Sequence, residues 1–235
     1  MNSLLLQDHS GFISDPLLME HLHSTLKSKI GDSLKCTILN VGLTTGKIIS
    51  LDKNHCQLEL GVISPGSEPW VNLIVGLSRP QTSKKILEHG TTFGAHKIHF
   101  FNATLSEKSY MDSKVFESHE SEAYLKLGLS QSATYYKLPA VKVDKFNPAK
   151  NYEGEKQKFI LDLKESKSFL DYQEDIDFAL PISLAIGPER GFVQEDLIKF
   201  HDAGFKSVKI SSSVLRVEHA IYSSLSQLEL IRGRF

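Results

Sequence analysis

From residue 71 onward the chain repeats one pattern: a short apolar run without two-residue alternation, a helix-like stretch, then another apolar run. The runs fall at 71–77, 97–101, 141–143, 159–161, 182–186 and 207–210. Strands buried on both faces lose their alternation. Strands separated by helices build a parallel α/β sheet. The intervening helices are expected at 82–89 (ending at Gly90), 110–116 with 118–132, and 194–203 (closed by Gly204). A last helix is expected at 214–232, free of internal Gly or Pro. In it Val214, Val217, Ile221, Leu228 and Ile231 form a stripe that the sheet or a second subunit must cover.

Residues 1–65 read differently. Segments 34–39 and 56–60 alternate apolar and polar residues, and Gly42, Gly46 and the 52–54 cluster punctuate them. Leu4 to Leu6 supply a first strand. One helix is expected at 16–28, with Asp15 as N-cap, Pro16 at its first position, and Leu17, Leu18, His21, Leu22 and Leu26 on one face. A small, mostly β unit with one helix points to a barrel of the kind that grips RNA; a barrel with no partner is the alternative. The Pro- and Gly-containing stretch 64–69 is the linker, giving domains at 1–65 and 70–235.

Composition removes several function classes. At 40% apolar and 23% charged residues over 235 positions, the chain is an ordinary globular protein. No apolar run approaches the roughly 20 residues of a membrane span. The first residues lack a basic region and a cleavage site, so a cytoplasmic protein without a leader is expected. Cys36 and Cys56 stand far apart and read as small apolar strand residues in a reducing compartment. The pairs His21/His23 and His96/His99 have no second ligand cluster, so no metal is expected. The net charge of −1 gives no general basic surface, yet charge is uneven. Arg79, Lys84, Lys85 and Lys97 face only Glu88 within 79–97, and residues 199–235 hold six basic against three acidic side chains. Such local faces are compatible with a structured RNA.

No dinucleotide-binding glycine fingerprint, phosphate-binding Gly-Lys-Ser/Thr or Gly-x-Ser-x-Gly elbow is present. The remaining chemistry lies in two loops at strand ends. In the first, Ile186 leads into Gly187-Pro188-Glu189-Arg190-Gly191-Phe192, a turn that opens a helix at Val193. Gly187 and Gly191 permit positive φ and close ligand approach, and Pro188 stiffens the turn. Glu189 can accept hydrogen bonds from ligand hydroxyl or amino groups. A helix N-terminus would present N–H groups there. The second loop, Ser211 to Ser213, leads to Leu215-Arg216-Val217-Glu218. Arg216 stands at the helix end where the dipole disfavours cations, and a residue set against its local preference is a candidate for function. A structural pair with Glu218 or Glu189 is the other reading.

These segments resemble the ribosomal RNA small subunit methyltransferase E family, SPOUT-class enzymes that methylate N3 of a uridine in 16S rRNA with S-adenosylmethionine. The family's Ile-Gly-Pro-Glu-Gly-Gly-Phe is similar to Ile186–Phe192, with Arg190 for glycine. Its Ile-Leu-Arg-x-Glu-Thr-Ala is similar to Val214–Ala220, with His219 for threonine. Its N-terminal His-Leu-x-x-Val-Leu-Arg-x-x-x-Gly-Asp resembles His21–Asp32, with Lys27 for arginine. Further likeness covers 77–98 and Gln131 before Leu138-Pro139.

The resemblance implies an α/β SPOUT domain with a parallel sheet and a deep trefoil knot, a rare exception to unknotted topology. It also implies a PUA-like RNA-binding barrel at the N-terminus, a homodimer, and 16S rRNA in the small subunit as partner. By position, Ile186, Gly187, Pro188, Glu189 and Gly191 would line the cofactor pocket. Ile210, Ser211 and Leu215 would close it, with Leu161 from a neighbouring loop. Lys27, Lys29, Arg79 and Arg190 would contact RNA, Lys27 as a point charge without arginine's fork. Arg216 would act on the uracil or a phosphate, with Glu218 or Glu189 orienting it or taking a proton. Methylation of another RNA nucleotide and a noncatalytic RNA-binding role stand as alternatives.

Overall fold

A computed structural model describes residues 2–233. The chain forms two units: Met1–Glu68 with Lys126–Leu138, and Pro69–Leu125 with Pro139–Phe235. The break at 68/69 falls in the expected linker. Nothing in the composition of 126–138 marks its return to the first unit.

The first unit holds β1 (Leu4–Leu6), β2 (Phe12–Ile13), helix α1 (Pro16–Glu20), β3 (Ser33–Ile38), β4 (Gly42–Leu51) and β5 (Cys56–Leu60). They make one sheet in the order β1-β3-β4-β5-β2, with β1 parallel to β3 and the other pairs antiparallel. Among the described residues no ladder joins its edge strands β1 and β2. Gly42 and Gly46, expected as turns, lie inside β4. A Cβ at Gly46 would sit 2.9 Å from Leu58 Cδ1 and 3.2 Å from Cys36 Sγ, so the glycine serves close packing. The reversal falls instead at Asn40, at φ 61°, a conformation asparagine tolerates.

Asp15 caps α1 as expected, its Oδ1 accepting from Leu17 N at 2.9 Å and Leu18 N at 3.0 Å. The helix then widens into a π turn at His21–Thr25 and stops at Lys27, whose φ is 51°. The expected face is buried only in part: Leu22 is in the core and Leu18 packs against it, but Met19 takes the place of Leu17, 76% exposed, and Leu26, 42% exposed. Met19 and Leu22 fill a core with Leu4, Leu6, Ile38, Ile48, Leu58 and both cysteines. Burial raises both thiols, Cys36 to about 11, and both are free.

The segment 126–138 closes this unit. Ser130 O accepts from Asn2 N and Ser3 N at 2.9 and 3.0 Å, and Ser67 N donates to Thr134 O at 2.9 Å. Glu68 accepts from Tyr136 OH and from Lys137 Nζ.

The second unit contains β6 (Val71–Gly76), α2 (Pro80–Thr92), β7 (Ala95–Phe101), the start of α3 (Ser118–Ser132) and β8 (Ala140–Asp144). It continues with β9 (Lys158–Leu161), β10 (Ile182–Ile186), α4 (Gln194–Asp202), β11 (Lys206–Val208) and α5 (Val217–Arg232). The sheet is wholly parallel in the order β11-β9-β10-β6-β7-β8. Its central strands β6 and β10 are buried throughout, as their unalternating apolar runs require.

Several boundaries differ from expectation. The 110–116 stretch is two 3-10 turns, Lys108–Asp112 and Lys114–Phe116. Gly90 lies inside α2 rather than at its end. A Cβ there would be 3.0 Å from Leu73 Cδ1 and 3.1 Å from Ile98 Cδ1, so the glycine lets helix and sheet approach. The chain turns instead at Gly94, φ 80°. β11 ends at Val208 and α5 begins at Val217, so 209–216 is a loop and Val214 is 80% exposed. The α5 stripe that is buried is Val217, Ile221, Leu225 and Leu228, packed toward α2 and β10.

Candidate active site

Three parallel strands end together: Leu161, Ile186 and Val208 are the last residues of β9, β10 and β11. Beyond those ends opens a cleft of about 600 Å³, its mouth included. That size suits a small-molecule ligand, and the place is where open parallel sheets bind theirs. Besides the three strand ends, the floor is Gly187, Pro188, Glu189 and Gly191 from the first loop and Ile210 and Leu215 from the second. Eight of the nine residues expected to hold the cofactor therefore line one cavity. Ser211 does not; its Oγ accepts from Ser213 N at 3.0 Å and shapes the loop.

The first loop is a tight turn in which Gly191 N donates to Pro188 O at 2.8 Å and Gly191 has φ 73°. A Cβ at Gly187 would lie 3.0 Å from Gly191 Cα, whereas one at Gly191 would meet nothing within 4 Å. The first glycine lets the turn close, and the second supplies its left-handed backbone. Under the turn, Pro188 rests on Gly76, the last residue of β6. Glu189 Oε1 accepts from Arg79 N at 2.8 Å, which ties the turn to the N-cap of α2. Gln227 Nε2 donates to Ile210 O at 3.0 Å and so fixes the second loop to α5.

The expected helix N-terminus at the ligand is not realised. The lining stops at Gly191, and α4 begins at Gln194 with no side-chain cap. Asp196 in its first turn is buried and accepts from Thr104 N at 3.1 Å and Thr104 Oγ1 at 3.2 Å. The cleft is thus an apolar slot framed by backbone, and the helix start that borders it is that of α5, at Val217.

Arg216 is the extended N-cap of α5, exposed and outside the cleft wall. Among the described residues it forms neither anticipated pair. Glu218 is buried and gives its carboxylate to Lys85 Nζ at 3.3 Å. Burial acts to raise the Glu218 carboxyl, but its backbone N–H and Lys85 outweigh that and leave it below the usual range. A carboxylate so held is a poor proton acceptor. Arg79 and Arg190 are exposed and share a shallow groove with Glu189 and Tyr110. Lys27 and Lys29 are exposed in the first unit. The cleft also includes Asp162, Leu163, Lys209, Ser213, Val214, Val217 and Ala220. Ser213, Val214, Val217 and Ala220 belong to the second loop and its motif, whereas Asp162, Leu163 and Lys209 lie outside both motifs and nothing in the sequence marks them.

The histidines are otherwise engaged or scattered. His99 is buried between Asp144 Oδ2, 2.8 Å from Nε2, and the Tyr152 hydroxyl, 2.8 Å from Nδ1. A carboxylate only accepts, so the proton sits on Nε2 and Tyr152 donates to Nδ1. Burial pushes His99 below its usual pKa against the pull of Asp144. Among the described residues no three His, Cys, Asp or Glu cluster as metal ligands, and no helix is long and apolar enough to cross a membrane.

Residues 66–229 match the RNA methyltransferase domain family. Ribosomal RNA small subunit methyltransferase E 1 of Borreliella burgdorferi is 31% identical over 209 residues, spanning 86% of this chain and 84% of that protein. The chain belongs to the ribosomal RNA small subunit methyltransferase E family. The family member of Treponema pallidum is 27% identical over 217 residues, 85% of this chain and 77% of its own length. The structure of a family member from Neisseria gonorrhoeae bound to S-adenosyl methionine has a TM-score of 0.79 at 16% identity, covering 98% of each chain. That likeness establishes the shared α/β fold with its parallel sheet.

Proposed function

We propose that this protein is a methyltransferase that uses S-adenosylmethionine to methylate N3 of a uridine in 16S rRNA of the small ribosomal subunit. The reading extends to a homodimer in which 70–235, apart from the 126–138 return, is a SPOUT domain with a deep trefoil knot, and 1–65, completed by that return, is a PUA-like RNA-binding barrel. It is carried by one observation: the two motif loops and the β9 end enclose a single apolar cleft. The family membership and the cofactor-bound N. gonorrhoeae relative support it.

The cleft fits S-adenosylmethionine. Leu161, Ile186, Val208, Ile210 and Leu215 offer apolar surface to a flat base, and the glycine turn offers backbone at close range. When bound, this cofactor supplies a methyl group on a cationic sulfonium. The chain's own residues do the rest. The apolar wall excludes water, which strengthens every charge interaction inside. The tie from Arg79 N to Glu189 holds the turn in place, so part of the reaction's entropy cost is met before substrate arrives. Uracil N3 must give its proton to solvent to become a nucleophile, because Glu218 is held by Lys85 and Glu189 by Arg79 N. Arg216, exposed at the rim and without an ion pair among the described residues, stabilises the resulting oxyanion or an adjacent phosphate. Glu218 positions Lys85 and the start of α5.

The test incubates small ribosomal subunits with labelled cofactor and analyses the nucleosides by mass spectrometry. The expected product is 3-methyluridine; another methylated nucleoside, or none despite cofactor binding, rejects the reading. Arg216→Ala should bind cofactor normally and lose about 10²-fold in turnover.

A further inference from the structure

A second cavity lies on the same unit, beyond the ends of β7 and β8 and against α4. Its space, about 1140 Å³ with its mouth, exceeds the 600 Å³ of the cofactor cleft on the same measure. Three of its wall residues each carry a polar side-chain atom that is shielded from water and has no hydrogen-bond partner. These are Asn102 Oδ1, Ser106 Oγ and Asn147 Nδ2. Buried unpaired polar atoms are uncommon and costly, and three around one cavity call for a partner. They comprise an acceptor, a donor and a hydroxyl that can be either.

The rim supplies the rest of a recognisable set. Phe146 is 81% exposed, an unusual place for so large an apolar ring. Lys145, Lys150 and Lys108 line the same cavity. Among the described residues none of these three lysines has an ion-pair partner. The carboxylates of the wall are Glu153, Asp202 and Asp196, the last spent on Thr104, while Lys199 is paired with Glu195 at 2.7 Å. An exposed aromatic face, amide groups of both hydrogen-bonding senses and cations alongside match the needs of a nucleotide: stacking, base-edge contacts and phosphate.

The cavity is also connected to the cofactor cleft. The shallow groove of Arg79, Arg190 and Tyr110 shares Glu189 with the cleft, and Thr104 and Ser106 with the second cavity. A strand whose target base faces the cleft would therefore cross two arginines and reach Phe146.

We propose that this cavity holds an unstacked nucleotide of the RNA substrate, flanking the one modified. Its base stacks on Phe146, with its phosphates on Lys145 and Lys150, and Asn102, Ser106 and Asn147 rotate to bring their shielded, unpartnered atoms onto the base edge. The proposal rests on the RNA methyltransferase reading but is tested by binding, apart from turnover.

The full-length protein and its Phe146→Ala, Asn147→Ala and Lys145→Ala/Lys150→Ala variants would be titrated with small-subunit rRNA by filter binding. The four nucleoside monophosphates would be titrated by NMR, and cofactor by calorimetry. The wild type should bind monophosphates with signals from Phe146, and Phe146→Ala should weaken rRNA binding by about 10-fold, within the range for one stacked base. The lysine variant should reduce the salt dependence of rRNA binding. Cofactor affinity should stay unchanged, which certifies the fold. Wild-type rRNA affinity in a folded Phe146→Ala protein overturns the proposal. Monophosphate binding with rRNA affinity unmoved also overturns it, in favour of a free-nucleotide site. Normal nucleotide binding without methylated product would reject the assigned reaction and keep the cavity.

Discussion

Replacing Gly76 with alanine should damage cofactor binding although Gly76 does not line the cleft. Gly76 ends β6, and a Cβ there would lie 2.5 Å from Pro188 Cδ and 2.7 Å from Pro188 N. Ordinary contact begins at 3.4 Å, so Pro188 must recede by about 0.9 Å (3.4 − 2.5). A proline ring and a backbone nitrogen cannot rotate aside, and Gly191 moves with Pro188 through their 2.8 Å hydrogen bond. Overpacking of this kind costs about 1–3 kcal/mol. If the turn returns to its binding position only at that cost, S-adenosylmethionine binds about 5- to 150-fold more weakly, at roughly 1.4 kcal/mol per tenfold. Calorimetric titration measures this directly. Gly90→Ala is the control, since its Cβ would press at 3.0–3.1 Å on the methyl ends of Leu73 and Ile98, away from the cleft. There a helix-propensity gain of about 1 kcal/mol offsets the squeeze, and Kd should remain within about twofold of wild type. A folded Gly76→Ala protein with wild-type Kd, or equal weakening in both variants, would refute the reasoning.

Two further predictions concern pH. The folded-state pKa of Glu218 is depressed, so its contribution is present above the unfolded value of about 4.3 and is lost as pH falls through the folded value. Glu218→Gln should therefore lower Tm at neutral pH, with the gap closing below about pH 4; a gap that persists in acid would assign the effect to packing alone. The folded-state pKa of His99 is also depressed, and for a histidine this favours folding only while the ring is neutral. Wild-type Tm should exceed that of His99→Asn by an amount that shrinks as pH falls from about 7.5 to 5, through the unfolded value near 6.5. A pH-independent difference would show that the ring has the same pKa in the folded and unfolded states.

The parallel sheet was legible because burial on both faces erases alternation, and Ile182–Ile186 appears in the structure with the expected bounds. Eight of the nine anticipated cleft residues converge because each stands at or just beyond a strand end. Errors arose where one residue type serves two purposes. Glycine at 46 and 90 reads as punctuation, yet both sites need the missing side chain for packing across a sheet. Beside Arg216 the sequence shows no partner for Glu218, whereas in the structure Lys85, 133 residues away, donates to it. The second cavity was invisible for the same reason: Asn102, Phe146 and Lys199 meet only after three separate crossings of the sheet.

The interrupted first unit has a consequence during synthesis. Its leading 68 residues leave the ribosome well before 126–138, whose Ser130 and Thr134 carbonyls accept from Asn2, Ser3 and Ser67. At roughly 5–20 residues per second, that delay is about 4–14 seconds for the 70 positions between Glu68 and Leu138. For that interval the nascent amino-terminal sheet waits with donors unmet, so a gene fragment ending at the first linker would encode an unfinished object rather than a separable module.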